Sequence, residues 1–254
     1  MKYKSLIKKL NLKEEDFENI KKSVQEAEKK TTGEIAVAIA PESAHYSFWE
    51  LLVANCVAAI VLMILVPFSD KIRDLYNMIY WQNQPSWVIP LFYVVSCFAA
   101  VIISFYLSNI PAIDRLVIPN SVKRASVTNR AFRYFTESGV YETAEHSGIL
   151  IFVSYMERQV RIVADAGISK KISQDMWNLL ADELAENIKK GNVAAGFTTI
   201  IEKCGSLLEE NFPAKEENPN ELADVKQQVT VVLSFQTSCS FIIIPPCFHQ
   251  STLL

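Results

Sequence analysis

Residues Gly148 to Tyr155 read GILIFVSY, followed by Met156-Glu157-Arg158-Gln159 and then Val160 to Ala164 as VRIVA. An apolar run of strand length, a polar turn and a second β-branched run predict a β-hairpin. The nearest comparable stretch upstream is Glu34 to Ala40 (EIAVAIA), bounded by Thr31-Thr32-Gly33 and by Pro41. It is apolar at consecutive positions, the pattern of a strand covered on both faces by helices. It has no partner before residue 148, so one sheet must draw its strands from both sides of everything in between.

The intervening segment is the least charged part of the first two hundred residues. Phe48 to Pro67 (FWELLVANCVAAIVLMILVP) carries one charge, Glu50, and Val88 to Leu107 (VIPLFYVVSCFAAVIISFYL) carries none. Each has the roughly 20 apolar residues that a helix needs to cross a bilayer core. Trp49, Trp81 and Trp87 stand where an interfacial aromatic belt would be. Two spans, 48–67 and 88–107, form a hairpin that returns both flanks to one side. Lys29, Lys30, Arg115, Lys123 and Arg124 lie on the flanks, against Lys71 and Arg73 in the 69–87 loop. The positive-inside rule then puts the flanks in the cytoplasm. Met1 to Lys30 has no apolar core of the signal-peptide kind. The expectation is a multi-pass protein of the cytoplasmic membrane, with its α/β domain on the cytoplasmic side. Glu50 and Asn55 are the strongly polar side chains at membrane depth, and Glu50 is near enough to the start of its span to snorkel.

Composition agrees. The 254 residues are 50% hydrophobic and 21% charged, with a mean hydropathy of +0.15; soluble domains carry about 25% charge. A net charge of −3 argues against a nucleic-acid footprint, so no nucleic-acid partner is expected. Five cysteines without a C-x-x-C point to neither a disulfide framework nor a zinc site.

Helices fill the rest. Asn11-Leu12-Lys13-Glu14 reads as a capping box opening a helix with Phe17, Ile20, Val24 and Ala27 inward. Pro119-Asn120-Ser121 opens another, with Ala125, Thr128, Phe132 and Phe135 at helical spacing and Gly139 closing it. Ser173 caps a third, with Met176, Leu179, Leu180, Leu184 and Ile188 inward. Gly191 and Gly196 bracket the start of the last, which carries Phe197, Ile200, Ile201, Leu207 and Leu208 and ends at Asn211-Phe212-Pro213. The order α-β-(membrane hairpin)-α-β-β-α-α predicts an α/β fold. It is a small α/β/α sandwich built from 1–47 and 108–213 and interrupted by 48–107. Residues 214–254 read as a charged linker and an apolar tail, uncharged from Gln227 onward, whose short apolar runs favour an unstructured tail, with a third span as the alternative.

Several of these residues together resemble the TPM-domain family. They are Thr32-Gly33-Glu34-Ile35, Gly148 to Ser154, Glu157-Arg158-x-Val160-x-Ile162-x-Ala164-Asp165-x-Gly167-Ile168, Trp177, Gly191, Gly196, Phe212-Pro213 and Asn220-Glu221-Leu222. Within that family the likeness is to the bacterial membrane-protein branch whose domain carries a transmembrane hairpin. The resemblance implies an α/β/α sandwich, and it brings with it the acid-phosphatase activity and calcium binding reported for some members. Secreted and plastid-type members open with an acidic V-x-D-x-A-G-V-L-S-like segment. This chain has Asn11-Leu12-Lys13-Glu14-Glu15-Asp16 there.

Of the residues that could carry chemistry, one group is brought together by the topology. If the Glu34 and Gly148 strands run parallel, their starts share a sheet end, and the hairpin returns Asp165 to it. Glu34 and Asp165 are the candidate metal ligands, with His146 and Gly167 as accessory residues. A divalent cation, calcium or magnesium, is the cofactor such a pair could hold. Glu157 and Arg158, at the other end, read as a polar turn. The sequence contains no phosphate loop, no H-E-x-x-H and no G-x-S-x-G. The preferred expectation is therefore a membrane-anchored domain for binding or assembly, with the bilayer and other membrane proteins or itself as partners. A metal-assisted phosphatase using Glu34 and Asp165 is the alternative.

Overall fold

The computed structural model describes residues 3–80, 85–108, 110–141, 143, 145–214 and 230–231. The chain forms two units, one from residues 1–44 and 123–254, the other from residues 45–122.

In the first unit, strand β1 (Glu34–Ala40) pairs in parallel with β2 (Gly148–Ser154) along all seven residues, Glu34 opposite Gly148 and Ala40 opposite Ser154. β2 pairs antiparallel with β3 (Gln159–Ala164), Ile149 opposite Ala164. Every residue of β1 and β2 is buried, as consecutive apolar residues require when both sheet faces are covered. Alternation sorts their side chains into two cores. Ile35, Val37, Ile39, Ile149, Ile151 and Val153 pack with α1 (Tyr3–Leu10), α2 (Glu14–Glu28), α9 (Gln174–Lys189) and α10 (Val193–Asn211). Ala36, Ala38, Ala40, Leu150 and Phe152 pack with α7 (Asn120–Glu137), through Val127, Ala131, Tyr134 and Phe135. The alanines of β1 leave room for the aromatic rings of α7 on that face. This is an α/β/α sandwich, with one strand before the apolar segment and the others after it.

Several local expectations are corrected. The α2 helix begins at Glu14, and the Asp16 carboxylate accepts the Lys13 backbone N–H at 2.8 Å. Asn11, expected to cap α2, instead closes the additional helix α1 with a φ of 52°. Phe132 is exposed and Tyr134 takes the inward position, because the face of α7 turned to the sheet runs through 127, 131 and 134–135. On α9 the buried stripe is Trp177, Leu180, Ala181 and Leu184, leaving Met176 and Leu179 in solvent. Glu157 is not a solvated turn residue. Its buried carboxylate accepts the Ser43 N–H at 2.8 Å and the Ser154 hydroxyl, tying the end of β2 to the chain leaving β1. Of the segment 214–254, Thr230–Val231 form a two-residue strand, β4, parallel to β1, so the sheet order is β3-β2-β1-β4. The expectations for the remainder of the tail lie outside the described residues.

The second unit contains α3 (Ser47–Leu65), a 3-10 turn (Val66–Phe68), α4 (Ser69–Tyr80), α5 (Val88–Ser108) and α6 (Pro111–Val117). The 69–87 segment, expected as a loop, is helical over 69–80. The continuous helical stretch Ser47–Ile79 has a hydropathy of 2.7 and Val88–Leu107 one of 2.5 over their most apolar windows. Only 11% and 6% of those windows are buried within the protein. The core helix of a soluble protein is buried over most of its length; these two turn their apolar side chains outward. Glu50 is buried, and Asn55 donates its side-chain amide back to the Leu51 carbonyl at 2.8 Å.

Candidate functional site at the start of β1 and β2

Three turns meet at one end of the sheet: Thr31–Glu34 before β1, the approach to β2 at residues 145–147, and Asp165–Gly167 after β3. Parallel pairing of β1 with β2 and reversal at the β2–β3 hairpin dictate this meeting. Backbone and hydroxyl bonds bind the turns together. Glu34 N–H donates to Ser147 O at 3.3 Å, Ser147 Oγ to Thr32 O at 2.9 Å, and Asp165 N–H to Gly148 O at 2.9 Å. Thr32 Oγ1 donates to the Glu145 carboxylate at 2.9 Å. The end of α10 closes on the same turns, with Thr31 Oγ1 and Thr32 N–H both donating to Phe212 O, at 2.5 and 3.0 Å. Beside them a cleft of about 580 Å³ is lined by Glu145, Lys171, Asn211, Phe212, Pro213 and Ala214. Lys171 spans it, donating to Asn211 O at 2.6 Å while its ammonium lies 3.9 Å from the centre of the Phe212 ring, a cation–π contact.

Glycine is required at two points of close approach. A Cβ on Gly148 would lie 2.0 Å from the Val140 carbonyl oxygen, and one on Gly167 would lie 2.5 Å from Glu145 O and 2.6 Å from His146 O. Gly167 can therefore bring its N–H within 3.1 Å of His146 O. His146 holds a φ of 51°, a left-handed conformation that costs a non-glycine residue energy and is kept where the surroundings dictate it.

The four residues expected at this end are all here. His146 and Gly167 are joined through the backbone, and His146 Nδ1 lies 3.3 Å from Asp165 Oδ2. The imidazole is 64% exposed and the carboxylate 12%. Asp165 Oδ1 accepts the Ala166 N–H at 2.6 Å, capping the short helix α8 (Ala166–Ser169). Glu34 is buried, and its carboxyl is engaged with Glu28, a residue that the sequence reading did not single out. Glu28 Oε1 accepts the Ile35 N–H at 3.0 Å. Burial pushes the Glu28 carboxyl up from 4.5 to about 8. The Ile35 N–H opposes the rise, and the charge and carboxyl hydrogen bond of Glu34 add to it.

The two candidate ligands are thus committed to different partners, Glu34 to a carboxyl and Asp165 to a helix cap and an imidazole. Calcium takes six to eight oxygen ligands. Among the described residues, no group of three or more His, Cys, Asp or Glu side chains is gathered for a metal. This donor set does not fit a resident cation. What the arrangement does supply is a protonated carboxyl shared between α2 and β1, and a solvent-facing imidazole backed by a carboxylate.

The Glu28–Glu34 pair makes stability depend on pH. A carboxyl raised in the folded state favours folding below its unfolded value of 4.5, and that contribution is lost as pH rises toward 8. Melting of the purified protein is expected to fall progressively between pH 5 and 8. Glu28→Gln keeps an acceptor for Ile35 and needs no proton. It is expected to flatten that profile and to be the more stable form at pH 8, by on the order of a few kcal/mol. Parallel profiles for the two proteins would show that Glu28 does not hold the proton.

No curated protein matches the chain. Among solved structures, the NMR structure of BA42 protein from the psychrophilic bacterium Bizionia argentinensis is similar with a TM-score of 0.50 and 19% identity, over 87% of this chain and 95% of that one. At that identity the likeness is one of fold. The family model for the TPM domain matches residues 115–207, from just before α7 to near the end of α10. β1, the parallel partner of β2, lies before the matched segment and on the far side of the apolar helices in sequence. Residues 115–207, which carry α7, β2, β3, α9 and most of α10, thus match the TPM domain.

Proposed function

We propose that this is an integral membrane protein whose two-helix hairpin anchors a TPM domain that acts by binding or assembly, on the cytoplasmic side of the membrane. The observation that carries this reading is the outward-facing apolar surface of Ser47–Ile79 and Val88–Leu107, with 11% and 6% of their most apolar windows buried. Side chains of that kind need a hydrocarbon solvent. Five Lys/Arg on the flanks against two in the connection support the cytoplasmic orientation. Binding is favoured over hydrolysis because Glu34 and Asp165 are each engaged with other protein groups, and among the described residues no group of three or more His, Cys, Asp or Glu side chains is gathered for a metal. The partner is another membrane protein or a second copy of this chain.

The test is made on one preparation. The protein should stay with membranes through an alkaline carbonate wash. After purification in detergent it should turn over no phosphomonoester, with or without calcium or magnesium. Release into the wash would refute the anchor. Metal-dependent hydrolysis abolished by both Glu34→Gln and Asp165→Asn would replace the binding role with a phosphatase.

A further inference from the structure

Helix α4 poses a solvation problem that neither water nor hydrocarbon solves. At a rise of about 1.5 Å per residue, α3 is roughly 28 Å long and α5 roughly 31 Å, each already close to a hydrocarbon core of about 30 Å. The twelve residues of α4 follow α3 directly through Val66-Pro67-Phe68, so they begin where the span ends. Four of the first six, Asp70, Lys71, Arg73 and Asp74, are charged, which bars them from the bilayer interior. Yet Leu75, Met78 and Ile79 are 58%, 77% and 63% exposed. At about 100° per residue, Ile72, Leu75, Tyr76 and Ile79 fall within one arc of about 100°, with Ile72 and Tyr76 half-buried and Leu75 and Ile79 exposed, and the exposed Asp70, Arg73 and Asp74 share the opposite arc. By contrast α5 carries no charge and α3 only Glu50, in its first turn.

We propose that α4 lies in the headgroup layer of the leaflet at the tip of the hairpin, its Ile72–Leu75–Tyr76–Ile79 face in the acyl boundary and its charged face in water. The occupant of that face is lipid because Leu75 and Ile79 present exposed apolar side chains directly after the apolar segment of α3, in the same helical stretch. The bend this requires falls at Pro67, which cannot donate to the α3 hydrogen-bond ladder and where a 3-10 turn forms. With two acidic and two basic side chains the helix carries no net charge, so attraction to anionic lipid is not what holds it. Phosphatidylcholine alone should suffice. This proposal rests on the membrane reading above, and its test separates the two.

Full-length protein with its native cysteines replaced is reconstituted in phosphatidylcholine vesicles, and single nitroxide-labelled cysteines are placed in turn at 70–79, at Ile60 and at Ile103. Oxygen collision is expected to dominate at 72, 75, 76 and 79, and a water-soluble nickel complex at 70, 73 and 74, with a contrast of about tenfold between faces. The sites at 60 and 103 should see oxygen and no nickel. Nickel access at every α4 position, with 60 and 103 still in lipid, overturns the interfacial helix and leaves the anchor standing. Shielding of 72, 75 and 79 from both reagents also overturns it, since protein would then cover the face. Nickel access at 60 and 103 overturns the anchor itself. Should the cysteine-free background fail to fold, hydrogen exchange of the native chain gives the same reading. Amides of 72–79 are expected to exchange about tenfold more slowly in vesicles than those of an isolated 69–80 peptide in water, and equal rates would refute the proposal.

Discussion

Removal of residues 1–47 is expected to leave the TPM domain unfolded although the whole matched segment 115–207 is retained. The loss takes β1 from beside β2 along seven residues and uncovers a row of backbone donors and acceptors that were paired inside the sheet. It also takes Leu6, Ile20, Val24, Ile35, Val37 and Ile39 out of one core. At about 1.5–3 kcal/mol for each fully buried side chain, the six together stabilise by roughly 10 kcal/mol or more. That is comparable with the whole stability of a domain, about 5–15 kcal/mol. Limited proteolysis of detergent-solubilised protein checks this: the truncated chain should be cut throughout 123–213 while the full chain resists. A protease-resistant 123–213 core in the truncated protein would show that β1 is dispensable.

The second large effect is expected at Gly148. Alanine there places a methyl 2.0 Å from the backbone oxygen of Val140, and no side-chain rotation can relieve that contact. β2 is fixed by neighbours on both sides, so the strand or the turn after α7 must move, at a cost of about 3 kcal/mol or more. Gly191 is the control. It has a φ of +84° and nothing within 4 Å of an added Cβ, so Gly191→Ala carries only backbone strain, about 1 kcal/mol. Melting should separate the two variants clearly, and an equal loss would remove close packing at the start of β2 as the reason for the glycine.

The strands were legible because their signal is local. EIAVAIA and GILIFVSY are apolar at consecutive positions between turn residues, and neither could be a two-faced strand or an amphipathic helix. Their pairing followed from the lack of any other partner. Helix faces were less legible. Leu179 and Phe132 fit a helical stripe as well as Trp177 and Tyr134 do, and only the position of the helix over the sheet decides between them. The sequence placed α4 in a loop because its charges interrupt the apolar run, although its 3.6-residue pattern was present. At the sheet end, the meeting of Glu34, His146, Asp165 and Gly167 could be derived from strand directions alone. Glu28 could not, because its reach to Glu34 depends on how Thr31-Thr32-Gly33 turns the chain. The one available hint was an acidic residue just before a tight turn and another just after it.

The proposed membrane hairpin interrupts the sandwich that holds the TPM match, so that its two parts meet on one side. Site-specific topology reporters measure this most directly, with fusions at residue 30, in the 69–87 connection and at residue 139 of the full chain. The account expects residues 30 and 139 to report the cytoplasm and the connection to report the opposite side. The same side reported at all three positions would contradict the hairpin, and opposite sides for residues 30 and 139 would contradict the shared sheet.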